Sequence, residues 1–357
     1  MNSIQFSNSK ASIPDFDSVA QFVKAIKRGV PATSDGAYTY FADKIKLAAT
    51  VSDGLDNKIT DVLTSLPNSL NHMKSAQPIL KKIGEIDEAE RSGQISTEKA
   101  NAARAALQAK LGDAVSSTIT DFNDAATKLS EPADRLSTYG QEIEVRLKDA
   151  TETQTSNQAR AQQDVEREGA RLQTLEERYE KLKEAVDKAR GGPTEDLVGL
   201  IPDEKELSSL LDVGPADAAA PQVAAAKKSI ELALKQIKKI LAVVDKTIEF
   251  EQLTELRDEV FNAVTEQRRV VEAAQERLRT ENATLTLLAT TVTTVGASMT
   301  SLATETNKLA TAFFSFATTL RDLNNQPITA DTVASIVNDM EFYLEQARGA
   351  RNKVILT

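Results

Sequence analysis

The chain has 357 residues, which is two or three average domains, and a formal net charge of −10 from 43 basic and 53 acidic residues. Hydrophobic residues make up 41%, enough for a sizeable core, whereas aromatic residues make up only 4% and glycine and proline are scarce. With no cysteine, the chain has no disulfide, thiolate metal site, iron–sulfur cluster or cysteine nucleophile. This composition favours long helices over a β-sandwich or a disordered chain.

The first third of the sequence predicts short helices. After a polar leader, a helix with Asp17 or Ser18 as N-cap is expected to end at Gly29. Apolar residues at helical spacing then predict a helix over residues 38–66. Pro67 and Pro78 bracket a short middle piece, and the run Ser92-Gly93-Gln94 predicts a break before the next helix.

A long helix is predicted from Thr97 to Arg190. At Pro132 it either begins a new segment or kinks, because proline suits the first helical turn but disturbs an interior one. Near its end, apolar residues step by 7, 3, 4, 3 and 4, which is a heptad seam. These residues are Val165, Leu172, Leu175, Tyr179, Leu182 and Val186. Residues 191–221 contain four prolines and predict a compact turn region.

A second long helix is predicted from Val223 to about Leu323, where no proline occurs, followed by a last helix over 330–348. Its apolar residues keep heptad spacing, with a change of register near Phe250. The alternative is a folded bundle with hidden breaks at Gly140, Gly169 or this register change.

These lengths predict an all-α fold. Roughly 90–100 helical residues span on the order of 140–150 Å, and two such helices joined by a turn must run antiparallel. We therefore expect an elongated helical bundle with a long antiparallel coiled-coil stalk and a small tip between the two stalk helices. The expected division is a tail over 1–131 and 286–357, stalk helices over 132–190 and 222–285, and a tip over 191–221.

The predicted tip is rich in apolar residues. A turn of about 30 residues has little core in which to bury them. Such residues at an extremity suggest contact with a membrane or a partner protein. The alternative is a miniature core that caps the stalk. The set comprises Leu197, Val198, Leu200, Ile201, Leu207, Leu210, Leu211 and Val213.

Basic residues flank the tip, and Lys227, Lys228 and Arg190 are candidates for contact with anionic lipid head groups. Acidic residues within the turn oppose that interpretation, and the alternative is an ordinary solvated helix face.

Nothing in the sequence predicts catalysis or a cofactor. The one histidine, His72, is interpreted as a structural or surface residue, and a single histidine excludes a histidine-cluster metal site. The diglycine Gly191-Gly192 lacks the Gly-Lys-Ser/Thr of a phosphate-binding loop. The acidic net charge disfavours nucleic acid as a partner. We therefore expect a protein that is not an enzyme.

The N-terminus lacks a basic region followed by an apolar run, and no span of about 18 residues is continuously apolar. We expect a soluble chain without a classical signal peptide.

This layout resembles the cytolysin A-like α-helical pore-forming toxins, most closely the B component of binary xenorhabdolysin-type toxins. The resemblance rests on architecture over nearly the whole chain and on no short motif. It implies a soluble monomer, released without a classical signal peptide, that assembles with a second toxin component into an oligomeric pore on a target-cell membrane. The family's head would correspond to residues 191–221. Several relatives carry a long apolar hairpin there and this chain does not, which favours a two-component toxin.

The alternative from a different class is a coiled-coil scaffold or tether. It explains the heptad seams equally well and the apolar tip less well.

Overall fold

The structure, a computed structural model, describes residues 12–31, 38–190, 201–211, 221–242, 250–323 and 329–355, and these are almost entirely helical. The helices are α1 (Phe16–Arg28), α2 (Thr39–Arg91), α3 (Thr97–Arg190), α4 (Glu204–Ser209), α5 (Pro221–Leu241), α6 (Phe250–Thr286), α7 (Thr293–Leu323) and α8 (Ala330–Ile355). A π-helical stretch, Leu287–Val292, joins α6 to α7. The predicted all-α class is confirmed.

The chain divides into two compact units. Unit 1 comprises residues 1–150 and 288–357, and unit 2 comprises residues 151–287. Helix α3 contributes to both, as does the continuous run from α6 to α7. The division predicted from the sequence, with boundaries at 131, 190, 221 and 285, remains a prediction.

Unit 1 is held together by one hydrophobic core that all of its helices share. Its largest side chains form an edge-to-face aromatic cluster, with ring centroids 5.9 Å apart between Phe122 of α3 and both Phe313 and Phe316 of α7. Tyr343 of α8 lies 5.5 Å from Phe316. Such pairs stabilise by about 0.5–1.5 kcal/mol each beyond their burial, so this cluster fixes how α3, α7 and α8 pack.

The helix breaks predicted at Pro67 and Pro78 are wrong, because both prolines lie inside the 53-residue helix α2. At Pro132 the alternative of one continuous helix is confirmed, since α3 runs for 94 residues through that position. An interior proline costs about 3 kcal/mol because it removes a backbone hydrogen bond. Burial of Leu66, Leu70 and Met73 beside the prolines offsets that cost.

The ends of the first helices follow local chemistry more closely. Helix α1 is capped by Asp15, not by Asp17 or Ser18, because the Asp15 carboxylate accepts from the backbone N–H of Ser18 at 3.3 Å. It ends at Gly29 as predicted. The predicted break after α2 is confirmed, and Gly93 there has a φ of 71°, a conformation that favours glycine.

Two glycines allow α3 and α7 to approach closely in unit 1. A Cβ at Gly140 would lie 2.5 Å from Thr300 Oγ1 and 3.1 Å from the backbone oxygen of Gly296. A Cβ at Gly296 would lie 3.1 Å from Ile143 Cγ2. Both distances are shorter than ordinary van der Waals contact, so larger residues would push the two helices apart.

Gly140→Ala is therefore expected to lower the free energy of unfolding by about 1–2 kcal/mol, since the added methyl group overpacks the crossing. The matched control is Gly112→Ala in the same helix, where a Cβ would meet nothing within 4 Å. That change should raise stability by about 0.5–1 kcal/mol through helix propensity. Urea unfolding measures both, and equal effects would contradict the close crossing.

In unit 2 the second half of α3 pairs with α6. The partner numbers on α6 fall overall, from 281 at Gln154 to 268 at Glu176, so the two helices run antiparallel, as predicted. The polar pairs along this register are Gln154 with Glu281, Gln158 with Asn282, Asp164 with Arg277, Glu168 with Gln267, and Glu176 with Arg268. The predicted heptad seam overlaps these pairs and continues past them, with Leu175, Leu182 and Val186 buried.

The single helix predicted over 223–323 is wrong. Helix α5 ends at Leu241, and α6 begins at Phe250 and packs beside it. The Gln236 side chain donates to Glu255, and each residue is the sixth from its helix end, so the two helices lie side by side and antiparallel. The register change near Phe250, identified as a possible break, coincides with the start of α6.

A buried charge lies within the α3–α6 pairing. Glu168 is 4% exposed and accepts hydrogen bonds from Arg167 and Arg171, both at 2.9 Å, and from Gln267 at 2.8 Å. Burial raises the pKa of Glu168, but these hydrogen bonds and the Arg171 charge outweigh it and hold the pKa below its usual value.

Glu168→Gln is expected to lower the free energy of unfolding by about 1–3 kcal/mol at neutral pH, because charge-assisted hydrogen bonds are lost. The folded-state pKa of Glu168 lies below that of the unfolded chain. Its contribution is therefore complete above the unfolded pKa of about 4.3 and is lost as the pH falls through the folded pKa.

The stability difference between wild type and Glu168→Gln should accordingly shrink below about pH 4. Guanidinium unfolding at several pH values measures this difference. Glu184→Gln, at an exposed position of the same helix, serves as the control and should change stability little. A difference that stays constant from neutral to acid pH would contradict the role of the Glu168 charge.

Candidate membrane-contact surface

Helix α4 holds part of the apolar tip against the core of unit 2. Its N-cap is Asp203, whose carboxylate accepts from the backbone N–H of Lys205 at 3.0 Å. Leu207 is fully buried and Leu210 is 9% exposed, and both join one cluster with Ile230 and Leu234 of α5. A helix of six residues is stabilised mainly by this packing, since its own hydrogen bonds are few.

The predicted contact residues divide into three groups. Leu207 and Leu210 are buried, as in the alternative of a miniature core, and Ile201 and Leu211 are half-buried against the same cluster. The remaining members lie outside the described residues: Leu197, Val198, Leu200 and Val213. In this conformation, the described apolar side chains of the tip are packed rather than presented to solvent.

Helix α5 is strongly amphipathic. Its first residue is Pro221, a position where proline costs no hydrogen bond. The face toward α6 buries apolar residues at helical spacing: Ala226, Ile230, Ala233, Leu234, Ile237 and Ile240. The opposite face is exposed and mostly basic.

The basic face comprises five lysines, Lys227, Lys228, Lys235, Lys238 and Lys239, all exposed. The helix contains one acidic residue, Glu231. Within the described residues, Lys238 alone of the five has a carboxylate partner, Glu204 at 3.0 Å. The third predicted head-group contact, Arg190, is exposed at the end of α3. Four positive charges therefore face solvent in a chain of acidic net charge.

Two leucines are exposed along with this basic face: Leu232 is 41% exposed and Leu241 is 53% exposed. Leu241 also borders an open depression of about 490 Å³ near α4. The depression is otherwise lined by Ile201, Pro202, Asp203, Glu204, Lys205 and Ser208. Lysines around an exposed apolar side chain form a surface suited to the interface between lipid head groups and acyl chains.

Over the described ranges, no three histidine, cysteine, aspartate or glutamate side chains are grouped so as to hold a metal ion. His72 is an exposed residue of α2 and belongs to no such group.

One described helix, Phe250–Leu323, is long and apolar enough to cross a membrane by length and composition. It contains the uncharged stretch 282–304, and a third of its most apolar window is buried. Its threonines explain why a search for a continuous apolar run misses it. Core helices of soluble proteins pass the same test, so the helix alone does not establish a membrane span.

The fold is that of XaxB and PaxB and of a chain of the XaxAB pore complex. XaxB from Xenorhabdus nematophila shares 20% identity, with a TM-score of 0.61, over 96% of this chain and 100% of that one. PaxB from Photorhabdus luminescens shares 17%, with a TM-score of 0.57, over 96% and 97%. A chain of the XaxAB pore complex from Xenorhabdus nematophila shares 21%, with a TM-score of 0.58, over 96% and 99%.

No family model matches the sequence, and no curated protein matches it. At these identities the similarity establishes the fold, and it extends over nearly the whole chain.

Packing of α4 onto α5 should be sensitive to Leu207. Leu207→Ala removes a fully buried side chain, a change that typically costs about 2–5 kcal/mol. Because α4 is short, we expect the loss to appear as faster hydrogen exchange in α4 and the adjoining part of α5. Leu232→Ala, at an exposed position of α5, is the control and should leave exchange unchanged. Identical exchange in both variants would contradict the packing role of Leu207.

Proposed function

We propose that this protein is a soluble component of a multi-component α-pore-forming cytotoxin, which assembles with a partner protein into an oligomeric pore on a target-cell membrane. The observation that carries this proposal is fold similarity at full length to XaxB, with both chains covered almost entirely. The matching chain of the XaxAB pore complex supports the need for a second component. No catalytic step or cofactor belongs to this function.

The tip supplies a physical route from a soluble to a membrane-bound form. Leu207 and Leu210 are packed in unit 2, so water does not meet them before the target is reached. Contact with the partner or lipid exchanges this packing for burial in the membrane interface, at little net cost in apolar burial. The residues proposed to make the contact are Leu197, Val198, Leu200, Ile201, Leu207, Leu210, Leu211 and Val213.

Before that contact, the proposed soluble form is a monomer that leaves the producing cell without a classical signal peptide. Assembly on the target membrane then brings several copies together with the second toxin component. The similarity to a chain of a pore complex supports the assembly step of this proposal.

The direct test is dye release from liposomes and red cells by the purified protein, alone and mixed with proteins encoded beside its gene. Release by the mixture alone is expected. Release by the protein alone would instead indicate a self-sufficient toxin. No release from any mixture, together with no flotation with liposomes, would favour the coiled-coil scaffold or tether.

The tip variant Leu200→Asp with Ile201→Asp should abolish release by the mixture, because two carboxylates cannot be buried in the acyl region without a large cost. Its circular-dichroism helix signal should match the wild type. The matched control is Leu47→Asp, which introduces a carboxylate at a leucine that is 50% exposed on α2 in unit 1 and should retain release. Full lysis by the tip variant would contradict the role assigned to the tip.

A further inference from the structure

We propose that a groove between α3 and α7 in unit 1 is the docking site for one helix of the second toxin component. This inference rests on the proposed function, because it names a surface through which the chain would meet its partner. Three features of the groove carry it: a lining of small and apolar side chains, an uncharged outer face on α7, and a single carboxylate.

The groove is an open depression of about 380 Å³ that follows the two helices. Their close crossing lies within it, since Gly140 and Gly296 are both lining residues. On α7 the lining extends over residues 292–301, which is about 14 Å along the helix axis. On α3, Ile143 and Leu147 supply apolar surface. An elongated depression between two helices can receive the side-chain ridge of a third helix.

The exposed face of α7 beside this groove carries no charge. No charged residue occurs from Asn282 to Thr304, although 27% of the chain is charged. Thr293, Ala297, Thr300 and Thr304 are separated by four, three and four residues, so they lie on one line, and all are exposed. Depletion of charge marks the core of a protein interface. The composition therefore indicates a face that a partner covers.

The chemistry of the groove specifies its occupant. Among the described lining residues Glu144 is the one that is charged, and it is exposed. No basic side chain of the described ranges pairs with it. A fitting helix therefore presents small or apolar side chains to the groove and one lysine or arginine to Glu144. An anionic lipid head group does not fit, because the carboxylate would repel it.

A second copy of this chain is a poor occupant. The ridge that it could offer is a row of exposed alanines near the start of α3: Ala102, Ala106 and Ala109. Ala106 lies about 55 Å along the same helix from Ile143. Docking of that row into a neighbouring groove would displace the two copies by this distance along α3, so they could not assemble at one height on a membrane. A different protein has no such constraint.

The test is recruitment of the chain to vesicles of red-cell lipids, preloaded in turn with each protein encoded beside its gene. Ala297→Leu places a larger side chain in the groove, at an exposed position and with a residue of high helix propensity. We expect recruitment and dye release to fall about tenfold or more, because the partner helix can no longer seat in the groove. The thermal unfolding of the variant should match the wild type.

The matched control is Ala106→Leu, the same change at an exposed position of α3 in unit 1. It should be recruited as the wild type is, and it also tests docking between copies. Glu144→Gln keeps the shape of the groove and removes its charge. Recruitment should then fall about two- to fivefold, since an exposed ion pair contributes modestly.

Cross-linking identifies what covers the groove. Because the chain has no cysteine, Thr304→Cys can carry a photo-crosslinker at the end of the uncharged line without filling the groove. We expect an adduct with the second component on the vesicles. Leu47→Cys, at a leucine that is 50% exposed on α2, is the control and should give none.

Wild-type recruitment of Ala297→Leu would overturn the inference. Equal losses in Ala297→Leu and Ala106→Leu would overturn it too and would indicate contacts between copies. An adduct from position 304 with a second copy or with lipid, in place of the second component, would have the same consequence.

These outcomes are separate from the fate of the proposed function. Undiminished release by Ala297→Leu mixed with the second component would leave the pore-forming role intact while the docking groove fails. An adduct at position 304 with a neighbouring gene product, without release from any mixture, would do the reverse.

Discussion

The antiparallel pairing of α3 with α6 is the constraint on which the arrangement of unit 2 depends. Between residues 154 and 176 of α3 this pairing is made largely by polar side chains, and Glu168 is buried among them. A buried polar group is costly unless its partners are in register. A shifted alignment would leave the buried Gln267 without its acceptor and remove one of the hydrogen bonds that Glu168 accepts. Polar pairs of this kind specify register more than they add stability.

With that register fixed, the apolar seam of α3 packs against both α5 and α6. Leu175 and Leu182 of α3 share a cluster with the inner face of α5 and with Leu207 of α4. The outer face of α5 is left for lysines. One helix thus separates a packed apolar layer from a charged surface.

Much of the fold could be predicted from the sequence. Sustained heptad spacing, scarce glycine and a proline-free stretch after Pro132 indicated the length of α3 and the antiparallel direction of the helix that pairs with it, and the architecture indicated the family resemblance. The errors have physical causes. Pro67 and Pro78 are tolerated inside α2 because the burial of neighbouring residues offsets a lost hydrogen bond.

The spacing of apolar residues could not predict that α5 and α6 fold back on each other as two antiparallel helices. A helix that continues and a helix that folds back bury the same apolar stripe, so periodicity does not distinguish them. The register change near Phe250 was the one available signal. For the candidate site, the sequence predicted the apolar tip and the basic residues Lys227, Lys228 and Arg190. The partners in space, such as Leu207 against Ile230 and Glu204 against Lys238, required the structure.

The measurement that tests the central claim most directly is ion conductance across a planar lipid bilayer. The purified chain would be added alone, then with each protein encoded beside its gene. The proposed function predicts discrete conductance steps of uniform size that appear only when the correct partner is present. Binding of both proteins to the bilayer without any conductance steps would contradict the proposed function. Equal conductance steps with unfolded samples of both proteins would contradict it too.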